Sequence, residues 1–241
     1  NATKVSHFGL DGKPKADKDG IFEERYEYGP DGKVKKKSLM YAVAGVKSTR
    51  EDSIAEEHYE YDARGNVTKV SHFGLDGKPT ANKDGVFEVR FEYGPDGKDK
   101  KSSLIYAVAD AKAVREDGIA EKRFDYDARG NLTKVLYFGV NGKPKGDVDG
   151  IAEIRWEHDA RGNLTKVSYF GSDGKPKADK EGVFEKRHEY DQGGKETKRS
   201  LIYAVAGAKA VREDGIAEVR FELDAHGNST KESYFDLEGK P

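Results

Sequence analysis

The chain of 241 residues repeats its own text with a period of 32 to 33 residues. Residues 1–65 and 66–130 are nearly the same sequence, and each copy holds two diverged repeats. Such repetition predicts stacked supersecondary modules that rest on their neighbours, rather than one globular core. We therefore expect a single repeat domain over residues 1–241, made of the repeats 1–32, 33–65, 66–97, 98–130, 131–162, 163–194 and 195–227 and the partial repeat 228–241.

The repeats are of two types. Type 1 carries a Gly/Pro-rich loop such as residues 171–176, and type 2 carries an Ala-rich segment such as residues 203–207 in its place. So short a segment fits either an extended strand or one helical turn, and we expect it to extend the strand. Type 1 comprises residues 1–32, 66–97, 131–162, 163–194 and 228–241, and type 2 comprises 33–65, 98–130 and 195–227.

The sequence pattern of each repeat predicts one β-hairpin. Residues 150–158 and 163–170 alternate between apolar or aromatic and polar positions, which is the period of a strand. Between them, Asp-Ala-Arg-Gly at 159–162 has the chemistry of a type I turn whose glycine adopts the left-handed conformation of a bulged hairpin. Gly-Pro-Asp-Gly at 29–32 and 94–97 is a second version of the same turn.

Stacked hairpins predict an all-β fold, a tandem-repeat antiparallel array that forms an elongated or spiralling, solenoid-like sheet. One face should carry Glu and Arg. A closed propeller is the alternative because seven full repeats are present, although four-stranded blades usually need about 40 residues or more. The other face should bury a single file of side chains: Tyr26, Tyr59, Phe91, Phe124, Trp156, His188 and Phe221.

The charge balance and the lack of long apolar runs limit the classes of partner that we expect this chain to bind. The 43 basic and 45 acidic side chains leave a net charge of −2, so there is no overall field for nucleic acid or anionic lipid. No apolar run is long enough to span a membrane, so we expect no membrane insertion. Lysines at 33–37 are expected to lie on a solvated sheet edge. The chain starts at Asn1 without a methionine, and we expect it to belong to a larger protein.

The text at residues 61–68, repeated at 126–133 and 158–165, resembles the YD repeat of bacterial Rhs and related toxin-shell proteins. That resemblance implies hairpins that wind into a spiral β-sheet. Residues 169–176 are similar to the hairpin repeats of choline- and glucan-binding surface proteins. The combined text is similar to repeat arrays of large bacterial proteins, planctomycete ones in particular, which implies no defined activity and favours a cell-surface or secreted location.

Repeated acidic loops are the metal candidates. Alternating carboxylates before a glycine suit Ca²⁺, but the glutamate that an EF-hand needs six residues after the glycine is missing. We therefore expect solvated turns and no metal or cofactor, with Ca²⁺ as the alternative. The residues concerned are Asp17, Asp19, Asp84, Asp147, Asp149 and Asp179. Asn-x-Thr sequons at Asn1, Asn66, Asn131, Asn163 and Asn228 are likewise explained by turn chemistry, and six scattered histidines do not converge.

No catalytic constellation interrupts the repeat, so we expect a non-enzymatic structural, scaffold or protein-binding module. Its contacts would come from residues 203–207 and from the outward charges Glu23, Arg25, Glu88, Arg90, Glu153, Arg155, Glu218 and Arg220. The alternative is a carbohydrate- or cell-wall-binding array. Candidate ligand-binding residues are Tyr137, Tyr169, Tyr234, Arg155 and Arg220. The partner would be a protein or glycan surface, and open sheet edges could also drive end-to-end self-association.

Overall fold

A computed structural model describes residues 2–43, 50, 54–108, 115–205, 212 and 214–241. Over these residues the regular secondary structure is β, and none of them forms a helix able to cross a membrane. The strands are β1 Lys4–Ser6, β2 Glu23–Tyr28, β3 Val34–Met40, β4 Glu56–Tyr61, β5 Val67–Phe73, β6 Glu88–Tyr93, β7 Asp99–Ile105, β8 Glu121–Tyr126, β9 Leu132–Phe138, β10 Glu153–His158, β11 Leu164–Phe170, β12 Glu185–Tyr190, β13 Glu196–Ile202, β14 Glu218–Leu223 and β15 Ser229–Phe235.

The chain divides into an N-terminal body, Asn1–Glu116, and a C-terminal body, Asp117–Pro241. Strands β1 to β7 lie in the first body and β8 to β15 in the second. Within each body every strand pairs antiparallel with its neighbours in sequence. The predicted all-β hairpin array is confirmed. Neither body is broken into separate four-stranded blades, so the strand order is open and is not that of a propeller.

The hairpin turns have the predicted geometry. In residues 62–65 the Gly65 N–H donates to the Asp62 carbonyl at 3.0 Å, and the Asp62 N–H donates to the Asn66 carbonyl at 2.9 Å. Gly65 has a φ of 92°, where a side chain would be strained. The register shifts between Glu60 and Tyr61, which marks the bulge. The two turn sequences therefore perform the same task.

The core is a narrow row at the end of the strands that lies away from the hairpin turns. It consists mainly of the apolar residues that directly precede each even-numbered strand or close the strand before it, and Val135, Val167 and Val219 extend it within the strands. Ile54 is fully buried and packs with Ile21, Leu39 and Tyr41. The other buried residues of this row are Phe22, Ala55, Val86, Phe87, Ile119, Ala120, Ile151, Ala152, Val183, Phe184 and Ala217. Each repeat thus adds its own segment of core beside that of its neighbour.

The Ala-rich segment does not extend the strand as predicted. Strands β3, β7 and β13 end one residue before Tyr41, Tyr106 and Tyr203, and these three rings are buried. An arginine covers each ring, with Arg50, Arg115 and Arg212 lying 4.9, 5.0 and 4.9 Å from the ring centres. The backbone N–H groups of Tyr41 and Tyr203 still donate to the carbonyls of Ala55 and Ala217 at 2.7 Å, so cross-strand hydrogen bonding reaches these two tyrosines although the regular strands end before them. Residues 44, 45, 109, 110, 206 and 207 of these segments lie outside the described residues.

Candidate functional site

Each body presents two chemically different faces, because side chains alternate along a strand. The first, which we call the aromatic face, carries the predicted file in register, as shown by the pairs Trp156 with Val167 and His188 with Arg199. The file is half-buried rather than fully buried. The second, which we call the charged face, carries the Glu-x-Arg pairs of β2, β6, β8, β10, β12 and β14 and the serines and lysines of the strands between them.

Glutamates of the charged face are internal anchors. The Arg25 Nε donates to Glu23 at 2.7 Å, and Glu23 also accepts from Ser6 Oγ at 3.1 Å and pairs with Lys4 Nζ at 2.7 Å. Glu23 is consequently buried. The prediction that these charges point outward is therefore wrong for Glu23, and equally for the nearly enclosed side chains of Glu88, Glu153 and Glu218. The arginines Arg25, Arg90, Arg155 and Arg220 are half-exposed, and a contact with a partner stays a prediction for them.

Three arginines of the charged face also stack on an aromatic ring. The guanidinium carbons of Arg123, Arg155 and Arg220 lie 4.0, 4.1 and 4.0 Å from the ring centres of Phe138, Phe170 and Phe235. A cation over an aromatic face is attracted by the ring quadrupole. A carboxylate and a ring together fix each guanidinium, so the charged face presents arginines of defined position.

A second row of the charged face alternates glutamate and lysine from strand to strand. Lys69 pairs with Glu60 at 2.7 Å, and Lys166 pairs with Glu157 at 3.2 Å. Of the predicted edge lysines, Lys36 belongs to this row, 3.9 Å from Glu27, whereas Lys37 lies over the Tyr26 ring on the aromatic face and Lys33 precedes β3. Strand β3 is paired on both sides, so the edge interpretation is wrong. Opposite charges on adjacent strands stabilise the sheet by a few tenths of a kcal/mol each, up to ~1 kcal/mol.

In the C-terminal body a groove of about 510 Å³ crosses the charged face. Among its cations, Arg220 is held by Glu218 at 2.8 Å, and Lys198 is held by Glu189 at 3.3 Å. The groove therefore offers both donors and acceptors with little net field. Its lining residues are Glu157, Thr165, Lys166, Arg187, His188, Glu189, Lys198, Ser200, Glu218 and Arg220.

The predicted ligand-binding residues do not form one site. Strand register puts Tyr137, Tyr169 and Tyr234 on the aromatic face and Arg155 and Arg220 on the charged face. Lys122 lies over the Tyr137 ring at 5.3 Å, and Lys186 lies over the Tyr169 ring at 6.0 Å. Burial raises the pKa of Tyr169, whereas Tyr234 is 46% exposed.

A buried cluster around Glu57 was not predicted from the sequence. This carboxylate accepts from Arg50 at 2.9 Å, from the Tyr59 hydroxyl at 2.7 Å and from the Tyr41 hydroxyl at 3.1 Å, and His72 Nε2 lies 3.7 Å away. The residues that pair across the strands at this position carried a signal for the cluster. Glu57 faces His72, whereas the other type 2 repeats pair Lys122 with Tyr137 and Val219 with Tyr234, so both members change together.

This cluster predicts a loss of stability in alkali. Burial, with Glu57 as the next cause, raises the pKa of Tyr41 to about 12. Because the folded state favours the neutral phenol, the contribution of Tyr41 to stability is complete below the pKa of an unfolded tyrosine, about 10. This contribution is lost as the pH rises through about 12. Denaturant unfolding between these pH values should show Tyr41→Phe losing less stability than the parent chain. An equal loss in both chains would contradict the assignment.

Carboxylates of the acidic loops close turns. One Asp17 oxygen accepts from the N–H groups of Asp19 and Ile21, both at 2.9 Å, and the Ile21 bond lowers the pKa of Asp17. Asp147 and Asp179 repeat this arrangement. Asn82 makes the same two bonds without a charge, so the turn needs an oxygen and not an anion. Within the described residues no three His, Asp or Glu side chains converge as metal ligands.

The sequon asparagines hold the hairpin turns. Asn66 Nδ2 donates to Asp62 at 3.0 Å, and this bond is the main cause that lowers the pKa of Asp62 to about 2. The same contact recurs at Asn131, Asn163 and Asn228, as the turn interpretation predicts. Asn1 lies outside the described residues.

Successive turns are also joined to one another. Arg64 Nη1 donates to the carbonyls of Gly94 at 2.9 Å and Pro95 at 3.2 Å, one repeat further along the chain. Lys33 reaches Ala63 at 2.6 Å, and Arg161 reaches Gln192. The arginine of the YD-like text therefore binds each turn to the next.

The last residue of the even-numbered strand in type 1 repeats is a tyrosine in three copies and a histidine in one, and the histidine lacks a hydrogen bond. The hydroxyls of Tyr28, Tyr93 and Tyr190 donate to the carbonyls of Ala2, Val67 and Leu164 at 2.7 to 2.8 Å. His158 occupies the equivalent position, and its Nδ1 is buried without a hydrogen-bond partner. A buried polar atom that lacks its bond costs stability.

We therefore expect His158→Tyr to raise the free energy of unfolding by about 1 kcal/mol, because it restores the bond that the equivalent repeats make. Chemical denaturation followed by circular dichroism measures this difference. Tyr190→His in the following repeat is the reciprocal variant and should lower stability by a similar amount. If His158→Tyr is neutral or destabilising, the buried nitrogen is not a defect.

Neither a protein-family model nor a curated protein matches the chain. Solved structures do match, at low similarity. "Crystal Structure of TcdB2-TccC3-Cdc42" has a TM-score of 0.27 and 14% identity, covering 90% of this chain and 14% of that one. "Structure of Photorhabdus luminescens Tc holotoxin pore, Mutation TccC3-D651A" has a TM-score of 0.30 and 14% identity, covering 97% of this chain and 13% of that one. The chain thus spans about one seventh of these toxin chains, and such TM-scores do not extend to function.

Proposed function

We propose that this chain is a non-enzymatic structural module, a repeat scaffold that presents a protein-binding surface within a larger bacterial protein. The observation that carries the proposal is that polar side chains of one repeat bind a neighbouring repeat, as Arg64 binds the turn at Gly94 and Lys166 pairs with Glu157 of the preceding repeat. Side chains that are committed to their neighbours maintain an array. A catalytic residue instead needs a unique environment.

The surface best suited to contact is the row of half-exposed arginines on the charged face. Arg123, Arg155, Arg187 and Arg220 follow every second strand of the C-terminal body, which corresponds to a separation of roughly 10 Å. Arginine is enriched at protein interfaces, and a fixed guanidinium loses little entropy on binding. A repeated contact of this kind gains strength by multivalency.

Carbohydrate or cell-wall binding at the surface of a cell is the second candidate function. It draws support from the exposed ring of Tyr234, since sugars stack on accessible aromatic faces. Tyr137 and Tyr169 support it less because a lysine covers each ring.

Titration of the chain against a panel of glycans and purified bacterial cell-wall fractions separates the two candidates. The same titration is run with calcium and with a chelator. The scaffold proposal predicts no saturable binding in either condition. Saturable binding that Tyr234→Ala abolishes would establish the carbohydrate function instead, and binding lost in the chelator would assign calcium to the acidic loops.

A further inference from the structure

The first turn of the type 1 loop exposes an aliphatic side chain at its tip in four of the five copies. Leu10 is 112% exposed relative to a reference residue, Val140 77%, Leu75 70% and Leu237 68%. The copies that have diverged around this position, with Asn141 and Glu238 in place of aspartate, still carry an aliphatic residue there.

The turn itself does not need this side chain. In the copy that carries Ser172 the Gly171 N–H donates to the Lys175 carbonyl at 2.9 Å, and the Gly174 N–H donates to the Gly171 carbonyl at 3.0 Å. In the copy with Leu10 the equivalent bonds measure 2.8 and 3.0 Å. Serine and leucine therefore support the same backbone, so folding of the turn does not account for the exposed aliphatic side chain.

The tips lie in a row at one end of the strands within each body. They follow odd-numbered strands, which run in one direction, because every neighbouring pair is antiparallel. Leu10 and Leu75 are four strands apart, or roughly 19 Å, and Val140 and Leu237 are six strands apart, or roughly 29 Å. Each row is thus a set of isolated apolar points at a fixed spacing.

We propose that these rows are a self-association surface whose partner is a second copy of this chain. Within each body, a second copy carries two apolar tips at the same spacing, so a two-fold arrangement matches both tips of that row at once. Electrostatics agree with this choice of partner. The net charge is only −2, and at three of the four tips an acid lies beside a base, which is self-complementary: Asp11 with Lys13, Asp76 with Lys78, and Glu238 with Lys240.

The contact is small compared with that of a stable dimer, so the association is weak and depends on several tips acting together. Sedimentation equilibrium of the whole 241-residue chain over a wide range of concentrations tests the proposal. The weight-average mass should rise above 26.7 kDa as the concentration increases. This rise in mass should persist in about 0.5 M sodium chloride, because salt screens charge interactions and does not screen apolar contacts.

The variant with Leu10→Ser, Leu75→Ser, Val140→Ser and Leu237→Ser copies the natural serine of the fourth loop, so it should fold as the parent does, which circular dichroism verifies. Its association midpoint should move to a concentration at least roughly tenfold higher. The reciprocal variant Ser172→Leu should associate more tightly than the parent.

Three outcomes would overturn the proposal. The parent chain could stay at 26.7 kDa at every concentration. The serine variant could associate as the parent does, which would indicate pairing of sheet edges. The parent could bind phosphatidylcholine vesicles through the tips without associating with itself, which would assign the row to a lipid surface.

Discussion

Replacing Ile54 by alanine should lower the free energy of unfolding by about 2 to 4 kcal/mol. Ile54 is fully buried and packs with Ile21, Leu39 and Tyr41, and Tyr59 rests against the same cluster. Each repeat adds only a narrow segment of core, so the surrounding side chains have little freedom to collapse into the cavity. Urea denaturation followed by circular dichroism measures the effect.

Leu10→Ala is the matched control, because this aliphatic side chain is exposed. Its free energy of unfolding should stay within about 0.5 kcal/mol of the parent value. Equal effects of the two substitutions would mean that the row of residues before the even-numbered strands is not the core.

Replacing Glu57 by alanine should lower the free energy of unfolding by about 2 to 4 kcal/mol. The substitution removes a nearly enclosed carboxylate that accepts from two tyrosine hydroxyls and from the Arg50 guanidinium. A buried polar group that loses its partner bears the full cost of its desolvation. Denaturation at neutral pH measures the effect.

Glu27→Ala is the control for charge alone. Glu27 lies on the exposed row of the charged face, 3.9 Å from Lys36, where a surface ion pair contributes little. A double-mutant cycle with Tyr59→Phe then isolates the hydroxyl contact, and it should give a coupling of about 1 kcal/mol. A Glu57→Ala variant as stable as Glu27→Ala would show that the Glu57 cluster is not a stabilising network.

The hairpins were predictable because their determinants are local. Asp62, Arg64 and Gly65 supply the side-chain acceptor, the link to the next turn and the left-handed residue within four positions of sequence. Alternation of apolar and polar residues then identified the strands. The position of the core was not predicted, because the aromatic file that was expected to be buried is half-buried, and the residues before the even-numbered strands form the core instead.

The division of candidate residues between two faces was not predictable by counting positions. Each hairpin contains a bulge, so the pairing changes between Trp156 with Val167 and His158 with Leu164, and alternation cannot be carried across the turn. The predicted ligand-binding residues Tyr169 and Arg155 lie on opposite faces of the sheet. The Glu57 cluster was missed for a related reason, because it joins residues from different strands and from the segment near Arg50.

Deleting residues 131–162 tests most directly whether the chain is an array of repeats that rest on their neighbours. The deletion joins Gly130 to Asn163 and so restores the same turn text, and it brings β11 beside β8 in place of β9. The only tryptophan is lost, so unfolding must be followed by circular dichroism.

An array predicts that the shortened chain keeps the β-sheet spectrum per residue and unfolds cooperatively, with a modest loss of stability that reflects one missing repeat. Loss of the β-sheet spectrum, or aggregation of the shortened chain, would contradict the account, because it would show that the repeats depend on a core shared by the whole chain.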